Sequence, residues 1–251
     1  TKQTAVMFIP ILFFYIILFE SNTHYKLVKS SISRWIASVI KIMWVPTIFG
    51  AAIFLVNQLY LTPSSTVSSN FTVTKFEYIS TQLYVILHYL GNFILPTSLS
   101  ADPDIEIITP WYDKRILLGL LLILTLILTA FKCAKNDKTR PISFGIAWFF
   151  VALLPTSLVP LFQIANDHRM FFPFMGMFIA VGFAGFYYYN LIQKHIYKMS
   201  FVIIVLLLIS SYSLGTYERN KVWSSTESLW YDVTIKSCLL YTSPSPRDKR
   251  L

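Results

Sequence analysis

Residues 116–131 read ILLGLLLILTLILTAF, a run that contains no charged side chain. Lys114 and Arg115 precede this run, and Lys132 follows it. A helix rises about 1.5 Å per residue, so roughly 20 apolar residues cross the hydrocarbon of a bilayer. The run is somewhat short, but its flanking residues can extend it. It therefore predicts a membrane-spanning helix and decides the fold class of the chain.

The composition of the whole chain agrees with this prediction. Of the 251 residues, 55% are apolar and only 13% are charged, and the mean hydropathy is +0.58. A soluble domain carries about 25% charged residues, so this chain cannot cover itself in water. Cys133 and Cys238 give neither a disulfide framework nor the spacing of metal ligands. The composition excludes a soluble globular domain and indicates an integral membrane protein.

Further apolar stretches define the expected architecture. Six stretches predict transmembrane helices: residues 4–20, 43–61, 116–131, 143–164, 171–192 and 200–216. A seventh, Tyr78–Leu95, contains Gln82, His88 and Asn92, and we expect it to be an interfacial or re-entrant helix. The prediction is an all-α polytopic membrane protein with about six transmembrane helices and one helix that does not cross.

The net charge of +9 is distributed unevenly along the chain. Segments 21–42, 132–142 and 193–199 hold ten basic residues against two acidic ones, whereas the opposite side, without residues 238–251, holds eight against nine. Basic loops remain in the cytoplasm, so these three segments are predicted to be cytoplasmic. We expect a multi-pass protein of a bacterial inner membrane or an endoplasmic reticulum membrane. Because orientation explains the charge, we do not expect a nucleic-acid partner.

Three regions are expected along the chain. Residues 1–216 are predicted to form a transmembrane domain whose N-terminal part is missing. Residues 217–237 are predicted to be a linker on the outer side. Residues 238–251 change character abruptly to a Ser/Pro-rich and basic sequence, which resembles the translated read-through of a sequencing adapter.

Polar residues that could carry chemistry fall on the predicted outer face. Arg169 could bind a phosphate through two parallel hydrogen bonds, with His168 donating another and Asp167 holding the arginine when no ligand is bound. The alternative is a polar turn that caps two helices, with Arg169 reaching lipid headgroups. Asp102 and Asp104 could anchor a metal or act as an acid/base pair, but Asp-Pro-Asp also favours a simple turn.

Four segments resemble, in order, elements of the membrane O-mannosyltransferases with C-terminal tetratricopeptide repeats and of their bacterial relatives. Residues 1–15 (TKQTAVMFIPILFFY) resemble a Ser-Lys-Glu-Thr segment followed by Pro, and residues 95–102 (LPTSLSAD) a Leu-x-Pro-x-x-Leu-Ser-x-Asp element. Residues 167–176 (DHRMFFPFMG) resemble a Glu-Arg-x-x-Tyr-x-Pro-x-x-Gly element. Residues 219–229 (RNKVWSSTESL) resemble the link to the repeats.

The resemblance implies part of a GT-C type glycosyltransferase that takes a sugar from a polyprenyl-phosphate carrier on the outer or luminal side. Its catalytic acid is expected upstream of Thr1, so no catalytic residue is assigned here. The expected partners are membrane lipid, the lipid-linked sugar donor and a protein or glycan acceptor, with no metal and no other cofactor. The residues expected to bind the donor phosphate are Arg169, His168 and Lys2, with Asp167, Asp102, Asp104 and Arg219 in support.

Two departures from the family pattern leave other functions open. Gln3 stands where the family has Glu, and the acid of the third element lies one position further from its Arg. The chain could therefore be a relative without activity that only anchors extracytoplasmic repeats. It could also be a transporter or flippase for an anionic lipid or solute, although its ionisable residues gather at one predicted surface rather than near the membrane centre.

Overall fold

A computed structural model describes residues 7–20, 40, 41, 44, 46–48, 74–97, 99–101, 103, 105–158 and 164–236. Within these ranges the chain is helical and contains no β-strand, as the sequence predicts. The helices are α1 (Phe8–Tyr15, continued by a π-turn at Ile16–Glu20), α2 (Lys75–Ile94), α3 (Lys114–Ala134), α4 (Arg140–Leu158), α5 (Phe171–Leu191), α6 (His195–Val222) and α7 (Thr226–Lys236). A 3₁₀ turn, Asp167–Met170, leads into α5.

Four helices are long and apolar enough to cross a membrane. They are α3, α4, α5 with its preceding 3₁₀ turn, and α6, and they correspond to the last four predicted spans. The apolar helix at Phe8–Phe19 is shorter than a span, and the predicted span at 43–61 lies almost entirely outside the described residues. Many apolar side chains of α3 and α6 are exposed, as expected for helices whose surroundings are lipid.

Among the described helices, α4 and α5 pack most extensively against each other. A Cβ atom built on Gly145 would collide with the backbone of Gly176 and Ala180, and one built on Gly176 would collide with Gly145. Small residues let two membrane helices approach until their backbones touch, which increases dispersion contacts where lipid provides no hydrophobic driving force. Trp148 of α4 also donates from Nε1 to the carbonyl of Phe172 in α5 at 3.0 Å.

Helix α2 begins at a capping box and packs against one end of this bundle. The Thr74 hydroxyl accepts from the Glu77 backbone N–H, and the Glu77 carboxylate accepts from the Thr74 N–H. Val85, Ile86, Tyr89 and Leu90 then pack into a core that includes Phe149, Leu153 and Met177. The side of α2 that carries these apolar residues is therefore buried in the bundle.

The contacts of α2 fall at the same end of all four long helices. Leu83 lies against Gly119 near the start of α3, and the Tyr78 hydroxyl donates to the Thr156 carbonyl near the end of α4 at 2.9 Å. Phe93 packs on Phe174 near the start of α5, and its carbonyl accepts from Tyr212 of α6. This arrangement supports a helix that lies across one end of the bundle. We call this the α2 end.

Charge separates the two ends of the bundle. The end opposite α2 carries the basic side chains of the predicted cytoplasmic loops, among them Lys132, Lys135, Lys138, Arg140, Lys194 and Lys198. Asp137 lies at the same end and pairs with Arg140 at 2.8 Å. The α2 end is the one to which the sequence analysis assigned the candidate site residues.

The segment predicted as a linker, 217–237, is largely helical in the structure. Helix α6 continues to Val222, six residues beyond the predicted end of the span, and α7 follows after a short turn. Glu218 and Lys221 pair at 2.8 Å one helical turn apart, which supports the extension of α6. Sequence hydropathy locates the apolar part of a helix but not its polar continuation, so the predicted span and the helix end at different residues.

Candidate functional site at the α2 end

The 3₁₀ turn that carries Asp167, His168 and Arg169 is held by a buried tyrosine. The Tyr89 hydroxyl accepts from the Asn166 N–H at 2.7 Å and donates to the Asn166 carbonyl at 3.3 Å. Burial raises the pKa of Tyr89 to about 12, which keeps its hydroxyl protonated. The Asn166 side chain in turn accepts from the His168 N–H at 3.2 Å. These contacts fix the backbone from which the candidate site residues project.

The Asp167 carboxylate is bound by groups from two other segments. Its Oδ2 accepts from the Ser100 N–H at 3.2 Å, and its Oδ1 accepts from Nδ2 of Asn92 at 3.4 Å. The same Asn92 nitrogen lies 3.1 Å from Nε2 of His88. Burial lowers the pKa of His88, although the charge of Asp167 opposes this shift, so the ring is held toward its neutral form. A neutral ring nitrogen can accept a hydrogen bond from the Asn92 amide.

Arg219 joins this group from the last turn of α6. It interacts electrostatically with Asp167, and its Nη1 pairs with Oδ2 of Asp232 in α7 at 2.6 Å. Lys236 pairs with Oδ1 of Asp232 at 2.8 Å and donates to the Leu99 carbonyl at 2.8 Å. We call His88, Asn92, Ser100, Asp167 and Arg219 the Asp167 cluster.

The structure brings together some of the predicted site residues. Asp167 and Arg219, 52 positions apart in the sequence, lie in one cluster. Arg169 is half-buried, and its charge acts on the Tyr89 hydroxyl, whereas His168 is exposed. The Asp167 carboxylate accepts hydrogen bonds from Asn92 and Ser100, and its role in holding the Arg169 guanidinium stays a prediction. Lys2, Asp102 and Asp104 lie outside the described residues.

Three members of the cluster were not assigned a role from the sequence. His88 and Asn92 are one helical turn apart on α2, a spacing that puts two polar side chains on one face of a mostly apolar helix. This spacing is visible in the sequence, but it does not indicate which residue His88 and Asn92 contact. Ser100 binds Asp167 through its backbone N–H, which no side-chain pattern can predict.

The arrangement provides charge and hydrogen bonds at one end of the bundle. Among the described residues, no group of three or more His, Cys, Asp and Glu side chains is positioned to hold a metal ion. The cluster combines a half-buried carboxylate, a partly buried guanidinium and an imidazole whose pKa is lowered by burial, and Arg169 lies on the same turn as Asp167. Such groups can bind an anion and orient a hydroxyl, since preorganised charges act strongly where water is largely excluded.

The docking of α7 should depend on pH through Asp232. Burial raises its pKa, but hydrogen bonds from Lys236 and Arg219 outweigh this effect and hold the pKa below the ordinary value of 3.8. The stabilisation from a lowered carboxyl pKa is complete above that ordinary value and is lost as the pH falls through the folded-state pKa. We expect hydrogen exchange in residues 226–236 to accelerate as the pH falls below about 4, after correction for the intrinsic exchange rate.

The matched control for this prediction is Asp232→Asn, which cannot titrate. Its corrected exchange should be fast at every pH and flat across the same window. Equal protection of α7 in the unmodified protein at about pH 3 and about pH 6 would contradict a role for this ion pair in docking.

Comparisons with known proteins identify no relative. No family model matches the chain, no curated protein matches it, and no solved structure resembles it closely enough to match.

Proposed function

We propose that this chain is part of an integral membrane glycosyltransferase of the GT-C type, which uses a polyprenyl-phosphate-linked sugar on the extracytoplasmic or luminal side. The α2 end would face that side, because the opposite end carries the basic loops. Four helices long and apolar enough to cross a membrane are compatible with a partial bundle of this type. The full count of about six spans is part of the proposal.

The observation that carries the proposal is the convergence of three segments that resemble elements of the O-mannosyltransferase family. Ser100 comes from the second element, Asp167 from the third and Arg219 from the link. Ser100 donates to Asp167, and Arg219 interacts with Asp167 electrostatically. Segments that lie far apart in sequence but resemble one family's motifs are expected to share a site. The hydrogen bond from Ser100 and the electrostatic effect of Arg219 on Asp167 support that expectation.

The proposed chemistry assigns different tasks to the charged groups. Arg169, with His168, would bind the donor phosphate and stabilise the negative charge that develops as the sugar leaves. Asp167 would position the site through Asn92 and Ser100, and the general base would be supplied upstream of Thr1, as the resemblance implies. The acceptor would be a hydroxyl of a protein or glycan. Lys2, Asp102 and Asp104 keep the supporting roles that the resemblance assigns to them.

Substitution of Arg169 tests the proposal in the complete polypeptide that contains this chain. We expect Arg169→Gln to lower kcat/KM for sugar transfer by about 10²–10³-fold, the usual effect of removing one preorganised donor to a developing anion. The assay would use reconstituted protein, a panel of radiolabelled polyprenyl-phosphate monosaccharides and peptide or glycan acceptors. The transferred label is the measured product.

Arg115→Gln is the matched control, because Arg115 lies at the same end, is paired with Asp113 and is 55% exposed. Its transfer rate should equal that of the unmodified protein. If the unmodified complete polypeptide transfers no sugar from any donor, the enzyme proposal fails. Vesicle flux of a polyprenyl phosphate without transfer would then favour a flippase, and neither activity would favour a scaffold.

A further inference from the structure

Arg219 is a partly buried cation that uses only part of its hydrogen-bonding capacity. Its side chain is 17% exposed, and Nη1 pairs with Asp232 at 2.6 Å. Nη2 is buried and makes no hydrogen bond within the described part of the chain. A guanidinium presents its donors as a planar fork that binds two oxygens at once, and a buried donor left unpaired is costly. The present partner therefore does not satisfy the fork.

A second cation shares the same carboxylate. Nζ of Lys236 lies 2.8 Å from Oδ1 and 3.1 Å from Oδ2 of Asp232, one helical turn away along α7. Asp232 is thus an internal anion that holds two cations from different helices. A phosphate monoester carries more charge and more acceptor oxygens than a carboxylate, so it could engage both cations and the unused Nη2 together.

We propose that Arg219 and Lys236 form a phosphate-binding site between α6 and α7, which Asp232 occupies until a phosphate monoester displaces its carboxylate. This inference deepens the proposed function by naming a second group of residues for a phosphate carrier, and it rests on that function for its biological meaning. The site differs from the Arg169 turn, because its cations come from the last turns of α6 and α7.

The site is coupled to the Asp167 cluster through a short backbone segment. Lys236 donates to the Leu99 carbonyl, and the N–H of the next residue, Ser100, donates to Asp167. Phosphate that draws Lys236 away from Leu99 would release the segment that positions Asp167. Occupation of one site therefore changes the geometry of the other.

A phosphate group could reach this site as part of a lipid headgroup or as the free ion. Trp223, Trp230 and Tyr231 beside the site are exposed, and such residues favour the membrane–water interface. Both sources present a phosphate group with several acceptor oxygens, and the experiment distinguishes between them.

The experiment measures binding to the intact chain in neutral lipid nanodiscs. One arm contains polyprenyl monophosphate in the bilayer, and the other adds inorganic phosphate to the solution. We expect saturable stabilisation against heat by the lipid, about hundredfold weaker binding in Arg219→Gln, and about tenfold tighter binding in Asp232→Asn, because the competing carboxylate is gone. A response to inorganic phosphate alone would assign the site to a soluble ligand.

Two further variants keep the result interpretable. Arg219→Gln combined with Asp232→Asn removes both partners of the Arg219–Asp232 ion pair, and it should fold and yet fail to bind. Arg115→Gln should bind as the unmodified chain does. If Asp232→Asn binds no more tightly, or if the folded double variant binds normally, the phosphate site is overturned.

Its failure is distinguishable from failure of the proposed enzyme. Phosphate binding that depends on Arg219, without sugar transfer by the complete polypeptide, would retain the site and reject the glycosyltransferase. Sugar transfer that is unaffected by Arg219→Gln combined with Asp232→Asn would retain the enzyme and reject the site.

Discussion

Replacing Gly176 with alanine should be among the most destabilising single-methyl changes available in this chain. The added Cβ would meet the backbone of Gly145 and would lie 2.8 Å from the Trp148 Cβ and 2.9 Å from the Phe149 nitrogen. Two of these three neighbours are backbone atoms and the third is the rigid base of a side chain, so α4 and α5 must move apart. Overpacking typically costs about 1–3 kcal/mol, and the loss of helix contacts along the pair adds to this.

The control is Gly182→Ala in the same helix, where a Cβ meets nothing within 4 Å. Alanine is the better helix former, by about 0.8–1.0 kcal/mol in soluble helices, so this change should be neutral or stabilising. The measurement is the midpoint of thermal or denaturant unfolding in a fixed detergent. Equal shifts of the same sign in the two variants would show that α4 and α5 do not meet at Gly176.

Removing the hydroxyl of Tyr89 should have a comparable effect and should also disturb the candidate site. Tyr89→Phe keeps the ring but leaves both the N–H and the carbonyl of Asn166 without their tyrosine partner in a buried position. Loss of a buried hydrogen-bond partner costs about 1–3 kcal/mol. The Asn166 carbonyl still accepts from the Arg169 N–H at 3.1 Å, so the main loss falls on the Asn166 N–H. Because Asn166 begins the turn that carries Asp167 and Arg169, we expect lower unfolding stability together with weaker anion binding or transfer.

Tyr84→Phe provides the matched control on the same helix. Tyr84 is half-buried, and its ring lies under the Arg115 guanidinium at 5.5 Å, a contact that phenylalanine preserves. This variant should unfold within about 0.5 kcal/mol of the unmodified chain. If Tyr89→Phe is as stable as this control, the Tyr89 hydroxyl does not stabilise the turn that carries the site.

Both predictions concern contacts that join distant parts of the chain. Gly145 and Gly176 set how closely two membrane helices approach, and Tyr89 ties α2 to the turn before α5. Asn92 and Gln82 make further links of the same kind, since Gln82 donates to the Ile164 carbonyl at 3.1 Å. The polar side chains of α2, which make it too hydrophilic for a clean span, are the side chains that bind the turn at 164–167.

The sequence predicted the features that depend on local composition. The last four apolar runs appear as helices long enough to cross a membrane, because the length and hydropathy of a segment are properties of that segment alone. The sequence also predicted that Asp167 and Arg219 lie at the same end of the bundle, because two predicted spans separate them. The count of spans and the side of the membrane remain proposals.

Tertiary structure alone decided which polar groups meet. Nothing in the sequence showed that Asn92 and the Ser100 backbone would bind Asp167, or that Asp232 would pair with Arg219. Such contacts join residues between 13 and 75 positions apart, and their geometry depends on how the helices pack. Hydropathy determines which segments are apolar helices. Close packing at sites such as Gly119 and Gly176 determines which helices are neighbours and how far apart they lie, and no local sequence pattern encodes that separation.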